Sequence, residues 1–249
     1  MTKRVISVFL CVLCVISSIS FIVSAKENKE YTSDNFLSVA DGIIAWKKAD
    51  NGSEPDGYLI NDKYLENAGT TPGDWYPIAL GRLGIQDNNE GYLAVIKDRV
   101  EERYRESGRL SAAKATEWHR IALAVLAMGG DPTNFGTDEN GAPINLIADG
   151  TYDRGKTTPL GRQGINGWIW GLITLDSMRY AVPDGAYNTR DDIIVEIISK
   201  QLSDGGFALS SDDADPDITA MAITALAPYY NSEKIYSYHR KALSADESK

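Results

Sequence analysis

Residues 201–230 read QLSDGGFALSSDDADPDITAMAITALAPYY. A turn at Gly205 and Gly206 leads into an acidic loop, and the loop into a predicted helix whose inner residues, 221–227, spell MAITALA. The same apolar word stands three times upstream, as WGLITLD at 170–176, IALAVLA at 121–127 and IALGRLG at 78–84, with starts 51, 49 and 43 residues apart. In every copy the first, third and sixth positions are apolar and the second is small: Ala79, Ala122, Gly171 and Ala222. A helical apolar pattern recurring at such a period predicts an array of stacked helical hairpins. The small second residue would let neighbouring inner helices approach closely.

Working outward, outer helices are expected between these inner ones. Residues 33–50 carry a stripe at helical spacing, Phe36, Leu37, Ala40, Ile43, Ile44 and Trp46, with Ser33 or Asp34 as cap. Residues 89–107 pair apolar Leu93, Val95, Ile96 and Val100 with a charged run from Lys97 to Glu106, read as a solvated face. The inner helices are expected at 72–84, 111–128 and 166–180 and after Pro216, with further outer helices at 190–201 and 232–243. Residues 131–163 are rich in Gly, Pro and Asn, with one short helix expected at 144–148. A connection this long inside a compact domain is characteristic of functional loops. No segment has a comparable strand period, so the fold class is all-α, with outer and inner helices alternating through four hairpins.

Of the 249 residues, the first 25 start with Lys3 and Arg4, continue as an apolar run over 5–23 and end on Val23, Ser24 and Ala25. That pattern predicts a signal peptide cleaved after Ala25, hence a secreted or cell-surface protein; the alternative is an uncleaved anchor. A polar leader (26–32), a helical domain (33–243) and a polar end (244–249) follow. Both cysteines, Cys11 and Cys14, fall in the signal segment, so the mature chain offers no disulfide and no thiolate metal site. Without Lys3 and Arg4, 23 basic residues face 35 acidic ones, a net charge of −12. Such a balance argues against nucleic acid and anionic membranes as partners.

Three motifs carry a family resemblance. Residues 200–207, KQLSDGGF, are similar to the glutamine-plus-aromatic repeat of squalene–hopene cyclases, with Phe207 where that repeat usually has Trp. Residues 217–222, DITAMA, resemble the start of an inner helix in the same superfamily. The run GRQGING at 161–167, leading into LITLDS at 172–177, resembles bacterial secreted domains of the terpene cyclase and protein prenyltransferase superfamily, to which cobalamin carriers also belong. The resemblance implies an α/α toroid, and that fold serves cyclisation, prenyl transfer, polysaccharide cleavage and plain ligand binding. The family ring has six hairpins, so four imply an incomplete ring whose open end exposes apolar surface and invites self-association.

The candidate site residues each admit two readings. Aligned on Thr219 and Ala220, Asp215 falls on the first acid of the cyclase motif and Asp217 on its proton donor, with Asp213 just before them; Ile218 stands where a third acid belongs. Yet Asp217 lies four residues before its apolar word, where the other copies have Asp74, Glu117 and Asn166, as helix capping or first-turn residues would. The acids together with Asp212 also suggest a calcium loop, against which Pro216 and Ile218 stand. The prenyltransferase zinc needs a cysteine, so no metal or cofactor is implied. Trp75, Tyr76, Trp118, His119, Trp168 and Trp170 gather at inner-helix starts, either as core packing or as the lining of a mouth for an apolar, isoprenoid or sugar-like ligand. The leading expectation is ligand or partner binding without catalysis. The alternatives are an enzyme of the same fold, either a cyclase using Asp217 and Asp215 or a polysaccharide lyase or hydrolase, and a structural or adhesion module.

Overall fold

The structure is a computed structural model that describes residues 32–153 and 159–237. The expected signal peptide, leader residues 26–31, the later part of the expected helix at 232–243 and the polar end lie outside the described residues. The chain divides into two units between Lys47 and Lys48. Helix α1 (Ser33–Asn51) begins before that division and ends after it. Its stripe does not form a core face: no residue of α1 is buried, and Phe36, Leu37, Ile43 and Trp46 are exposed.

The second unit holds α2 (Asp62–Leu65), α3 (Thr71–Leu83), α4 (Asn89–Ser107), α5 (Thr116–Ala127), α6 (Ile165–Asp176), α7 (Arg190–Ile198) and α8 (Pro216–Leu226). The described residues are all-α, with one isolated bridge between Thr137 and Pro143 and no strand. The four copies of the apolar word fall on α3, α5, α6 and α8, and these pack in chain order, α3 on α5, α5 on α6 and α6 on α8, while α7 lies on α6. Ala122 and Ala222 are buried as the repeat requires, but Ala79 is exposed. The close approach of α3 to α5 falls instead at Gly81, where a Cβ would sit 2.0 Å from the Ala127 carbonyl oxygen.

Helix α4 buries Tyr92, Ile96, Val100 and Tyr104, one residue per turn, so its inner stripe is half tyrosine. Its charged run is only partly a solvated face. Arg99 donates to the carbonyls of Leu65, Glu66 and Ala68, closing the C-terminal end of α2, and Arg103 pairs with Glu117 at 3.3 Å. Between α5 and α6 the short helix expected at 144–148 is replaced by a π-helical turn, Ala148–Tyr152, packed on both helices, followed by a 3₁₀ turn, Leu160–Gln163, on α6. Asn145 starts the π turn by accepting from the Ile147 and Ala148 N–H groups, and Thr151 donates back to the Ile147 carbonyl. A Cβ on Gly150 would sit 2.6 Å from that of Trp118, so only glycine brings this turn so close to α5. The turn therefore covers α5 and α6.

Four boundaries differ from expectation, the first being the start of α5 at Thr116 rather than at 111. Helix α6 ends at Asp176, where Arg179 takes a left-handed φ of 54° and the Tyr180 N–H returns to the Leu175 carbonyl. Helix α7 ends at Ile198, after which Gln201 bonds the Gly205 carbonyl. Residues 232–237 are not helical. The Ser232 hydroxyl accepts from the Lys234 N–H and from the Tyr236 phenol, and Tyr236 packs edge-on to Tyr229, so side chain and ring fix an irregular path.

The joint between α3 and α5 is polar. Arg120, on α5, is buried and spends all five N–H groups: Nε on Asp74 at 2.7 Å, and the two terminal nitrogens on Thr71, the Gly69 carbonyl and both oxygens of Glu117. Asp74 is fully buried and also accepts from the Gly69 N–H and the Tyr92 hydroxyl, both at 2.7 Å. Burial pushes the Asp74 carboxyl up and the bonds from Arg120 and Tyr92 pull it down; at Glu117 burial also raises, but Arg120 and Arg103 outweigh it and hold that carboxyl below its usual range. Removing one member leaves an uncompensated buried charge, which costs far more than a surface pair gains. Arg120→Ala is expected to lower the free energy of urea unfolding by about 3–5 kcal/mol, against about 1 kcal/mol or less for Arg103→Ala, whose pair is more exposed.

Candidate functional site

The first turns of α3, α5 and α6 open on one cavity of about 200 Å³. Its walls are Trp75 and Trp170, with ring centroids 5.5 Å apart and planes tilted by 55°. Lys114, Thr116, Glu117, Arg120, Gln163 and Asn166 supply the polar lining, with Thr71 beside them. The local sequence explains each placement. Pro72 starts α3 with its φ already set. Gly164, at φ 61°, turns the chain into α6. Gln163 accepts from the Thr116 N–H and donates to the Thr116 hydroxyl, tying the entry of α6 to that of α5.

Most of the polar atoms here are already partnered. Arg120 has no free N–H, and Glu117 is held by Arg120 and Arg103. Two atoms remain. Asn166 Oδ1 is buried without a hydrogen-bond partner. Lys114 is exposed at the rim and makes no ion pair or side-chain hydrogen bond among the described residues. The mouth thus combines an aromatic wall with a polar lining that is mostly paired, while Asn166 Oδ1 is sealed from solvent.

Of the residues expected at the site, Trp75 and Trp170 meet at this mouth. Trp118 is fully buried and donates through Nε1 to the Tyr104 hydroxyl at 2.7 Å, which in turn bonds Asp149 at 2.6 Å. Trp168 is buried in the core, and Tyr76 is half-buried against the edge of Tyr64. His119 is fully buried, with Nε2 2.6 Å from the Gly150 carbonyl and Nδ1 unpartnered, so Nε2 carries the proton and the ring is neutral. Asp213, Asp215 and Asp217 are exposed around the start of α8 and do not line the mouth. Asp215, rather than Asp217, caps α8, accepting from the Asp217 and Ile218 N–H groups at 2.8 and 3.0 Å. The repeat position before the apolar word therefore serves the mouth in three copies, through Asp74 beneath it and Glu117 and Asn166 on its wall.

Lys114, Thr116, Arg120 and Gln163 escape a reading based on aromatics and acids. Arg120 alone carried a signal, a charge next to a long apolar run, since buried arginines require partners. Residues 150–157 also spell the phosphate-loop pattern G-x-x-x-x-G-K-T, but that pattern needs a preceding strand, and Gly150 and Thr151 are buried in a π turn. Among the described residues no group of His, Cys, Asp and Glu is arranged to hold a metal, and no helix is long and apolar enough to cross a membrane. A second cavity, an apolar groove of about 690 Å³, lies between α7 and α8, with Ile194, Phe207, Ile223 and Tyr229 on its walls. Comparison with known proteins finds no matching family model, no matching curated protein and no matching solved structure.

Burial holds the His119 imidazole down at about 4, although its bond to Gly150 opposes this. An unfolded histidine titrates near 6.5, so the unfolded chain binds the extra proton first. Stability from this group is complete above pH ~6.5 and is lost as pH falls toward 4. Relative to His119→Gln, the wild type should lose about 2 kcal/mol of unfolding free energy between pH 7.5 and 5, measured by urea denaturation at each pH.

Proposed function

We propose that this protein is a secreted or cell-surface α/α-toroid domain, related to the terpene cyclase and prenyltransferase superfamily, that binds a sugar-like ligand at its inner-helix mouth. The observation that carries the reading is the pairing of Trp75 with Trp170, 95 positions apart in the chain, across a small polar cavity. An aromatic face beside a few fixed polar groups suits a ring with one apolar face and hydroxyl edges. Size favours this over a polyprenyl chain, because about 200 Å³ is below the roughly 300–1,000 Å³ of sites that engulf drug-sized molecules. Binding without chemistry fits better than cyclisation, because the acids around α8 stand in water, whereas an acid that protonates an alkene works where water is excluded.

Titration of the folded protein with short oligosaccharides, followed by tryptophan fluorescence, tests the reading. Trp75→Ala and Trp170→Ala are each expected to weaken binding about tenfold, the loss of roughly 1.4 kcal/mol of stacking. Ile223→Ala, on the far side of α6, is expected to leave it unchanged. Saccharide binding that survives both tryptophan substitutions would overturn the assignment.

A second reading concerns partners and rests on the apolar groove. Ile198 and Ile223 are exposed beside it, and among the described residues α8 is the last helix of the packed series α3, α5, α6, α8. Helical arrays need a polar cap at their ends, and we propose that a second copy of the chain covers this one. Sedimentation should then give a dimer for the wild type and a monomer for Ile223→Asp.

A further inference from the structure

We infer that the copy covering the apolar groove fills it with its α1, laying the stripe Phe36, Val39, Ile43 and Trp46 between α7 and α8. This rests on the reading that a second copy covers the groove and adds which part of that copy does so. The four stripe residues follow one another at spacings of three, four and three, which at about 100° per residue gathers them within about 80° of one helix face. All four are exposed, at 62, 58, 50 and 62%, and no residue of α1 is buried. Helices in proteins draw most of their stability from packing an apolar face, and this face is left in water. Anchors at such spacings are how an amphipathic helix lies in a hydrophobic groove.

The groove matches the stripe in shape and chemistry. Helices α7 and α8 both pack on α6, and the groove of about 690 Å³ lies between them. Its walls run from the buried Ile194 and Phe207 to the exposed Ile198, Ile223 and Tyr230, and none of its lining residues is charged. The stripe carries no charge either, although 24% of the chain is charged, so a charged peptide gains nothing in this groove. Phe36 and Trp46 stand about 15 Å apart along the helix axis. Helices α7 and α8, of 9 and 11 residues, are about 14 and 16 Å long, so the stripe runs the length of the groove. Connectivity makes the occupant a second copy. The end of α1 joins the packed helices ahead of α3: Asn51 donates to the Leu59 carbonyl at 3.1 Å, and Asp87 accepts from the Leu59 and Ile60 N–H groups. Three helix-to-helix steps of roughly 8–10 Å each, α3 to α5, α5 to α6 and α6 to α8, lie between that end and the groove. An exchange in which each copy gives its α1 and receives the other's covers both apolar faces of both chains.

Sedimentation of two variants, alone and mixed, tests the exchange. Trp46→Asp is expected to turn the dimer into a monomer, as Ile223→Asp does, with cooperative urea unfolding kept because both side chains are exposed. Asp41→Ala, on the opposite face of α1, is expected to leave the dimer unchanged. An equimolar mixture of Trp46→Asp and Ile223→Asp should recover a dimer, since the intact stripe of one chain still finds the intact groove of the other. With one contact in place of two, that dimer should dissociate at a concentration at least about tenfold higher than the wild type. A dimer that survives Trp46→Asp and is lost with Ile223→Asp overturns α1 as the occupant and leaves the second-copy reading standing. A mixture that stays monomeric at the highest attainable concentration overturns the pairing of stripe with groove. A wild type that is monomeric throughout overturns both.

Discussion

The structure depends on one buried guanidinium. Arg120 sits on a helix that is otherwise apolar and meets Asp74, which has no exposure at all, at 2.7 Å. Neither charge is tolerable there alone, so each dictates where the other helix must lie. Through Thr71 and the Gly69 carbonyl the same side chain also fixes the chain entering α3, and through Glu117 it fixes the first turn of α5. The Tyr92 hydroxyl carries the constraint out to α4. Apolar packing of the repeat sets which faces meet, but it is indifferent to small slides along the helix axes. The ion pair is not: it sets the register of α3 on α5, while Gln163 on Thr116 ties the entry of α6 to α5.

A parallel arrangement stands further along the chain. Asp176, at the end of α6, accepts from Arg190 Nε at 2.9 Å and from the Tyr229 hydroxyl at 2.6 Å, joining α6, the start of α7 and the turn after α8. Arg190 also reaches the Tyr180 carbonyl at 2.7 Å and the Leu175 carbonyl, which already accepts from the Tyr180 N–H. The two hubs differ in exposure. Asp74 is sealed, whereas the Asp176 and Arg190 side chains keep contact with solvent, so the first hub demands strict geometry and the second tolerates adjustment.

Much of this fold was legible because the apolar word is a direct statement of burial. Four copies predicted four helices, and α3, α5, α6 and α8 carry them, although α5 begins later and α6 ends earlier than the pattern placed them. Residues 89–107 were also predicted to the residue. What failed were the positions where side chains override propensity. Ser232 and Tyr236 divert a segment with helical spacing, Asn145 and Gly150 make a π turn where a short α-helix was expected, and the apolar stripe of α1 meets no core. Periodicity states that a face is apolar but not that anything covers it.

The site was half legible for a related reason. Aromatics at inner-helix starts could be found by alignment of the copies, yet of Trp75, Trp118, Trp168 and Trp170 only the first and last face the mouth, and neighbouring letters of one word decide which. Trp168 and Trp170 are two residues apart on a helix, about 200° around its axis, so when one is buried behind α6 the other must look out in front. The polar atoms obey no such repeat. Asp74, Glu117, Asn166 and Asp217 hold one position in the pattern and do four different things: sealed ion pair, half-open ion pair, unpartnered acceptor and exposed first-turn acid. Repetition conserves what packing needs and leaves the polar position free to differ from copy to copy. Chemistry specific to this protein is accordingly to be sought where the copies disagree, and the mouth between Trp75 and Trp170 is where three of those disagreements meet.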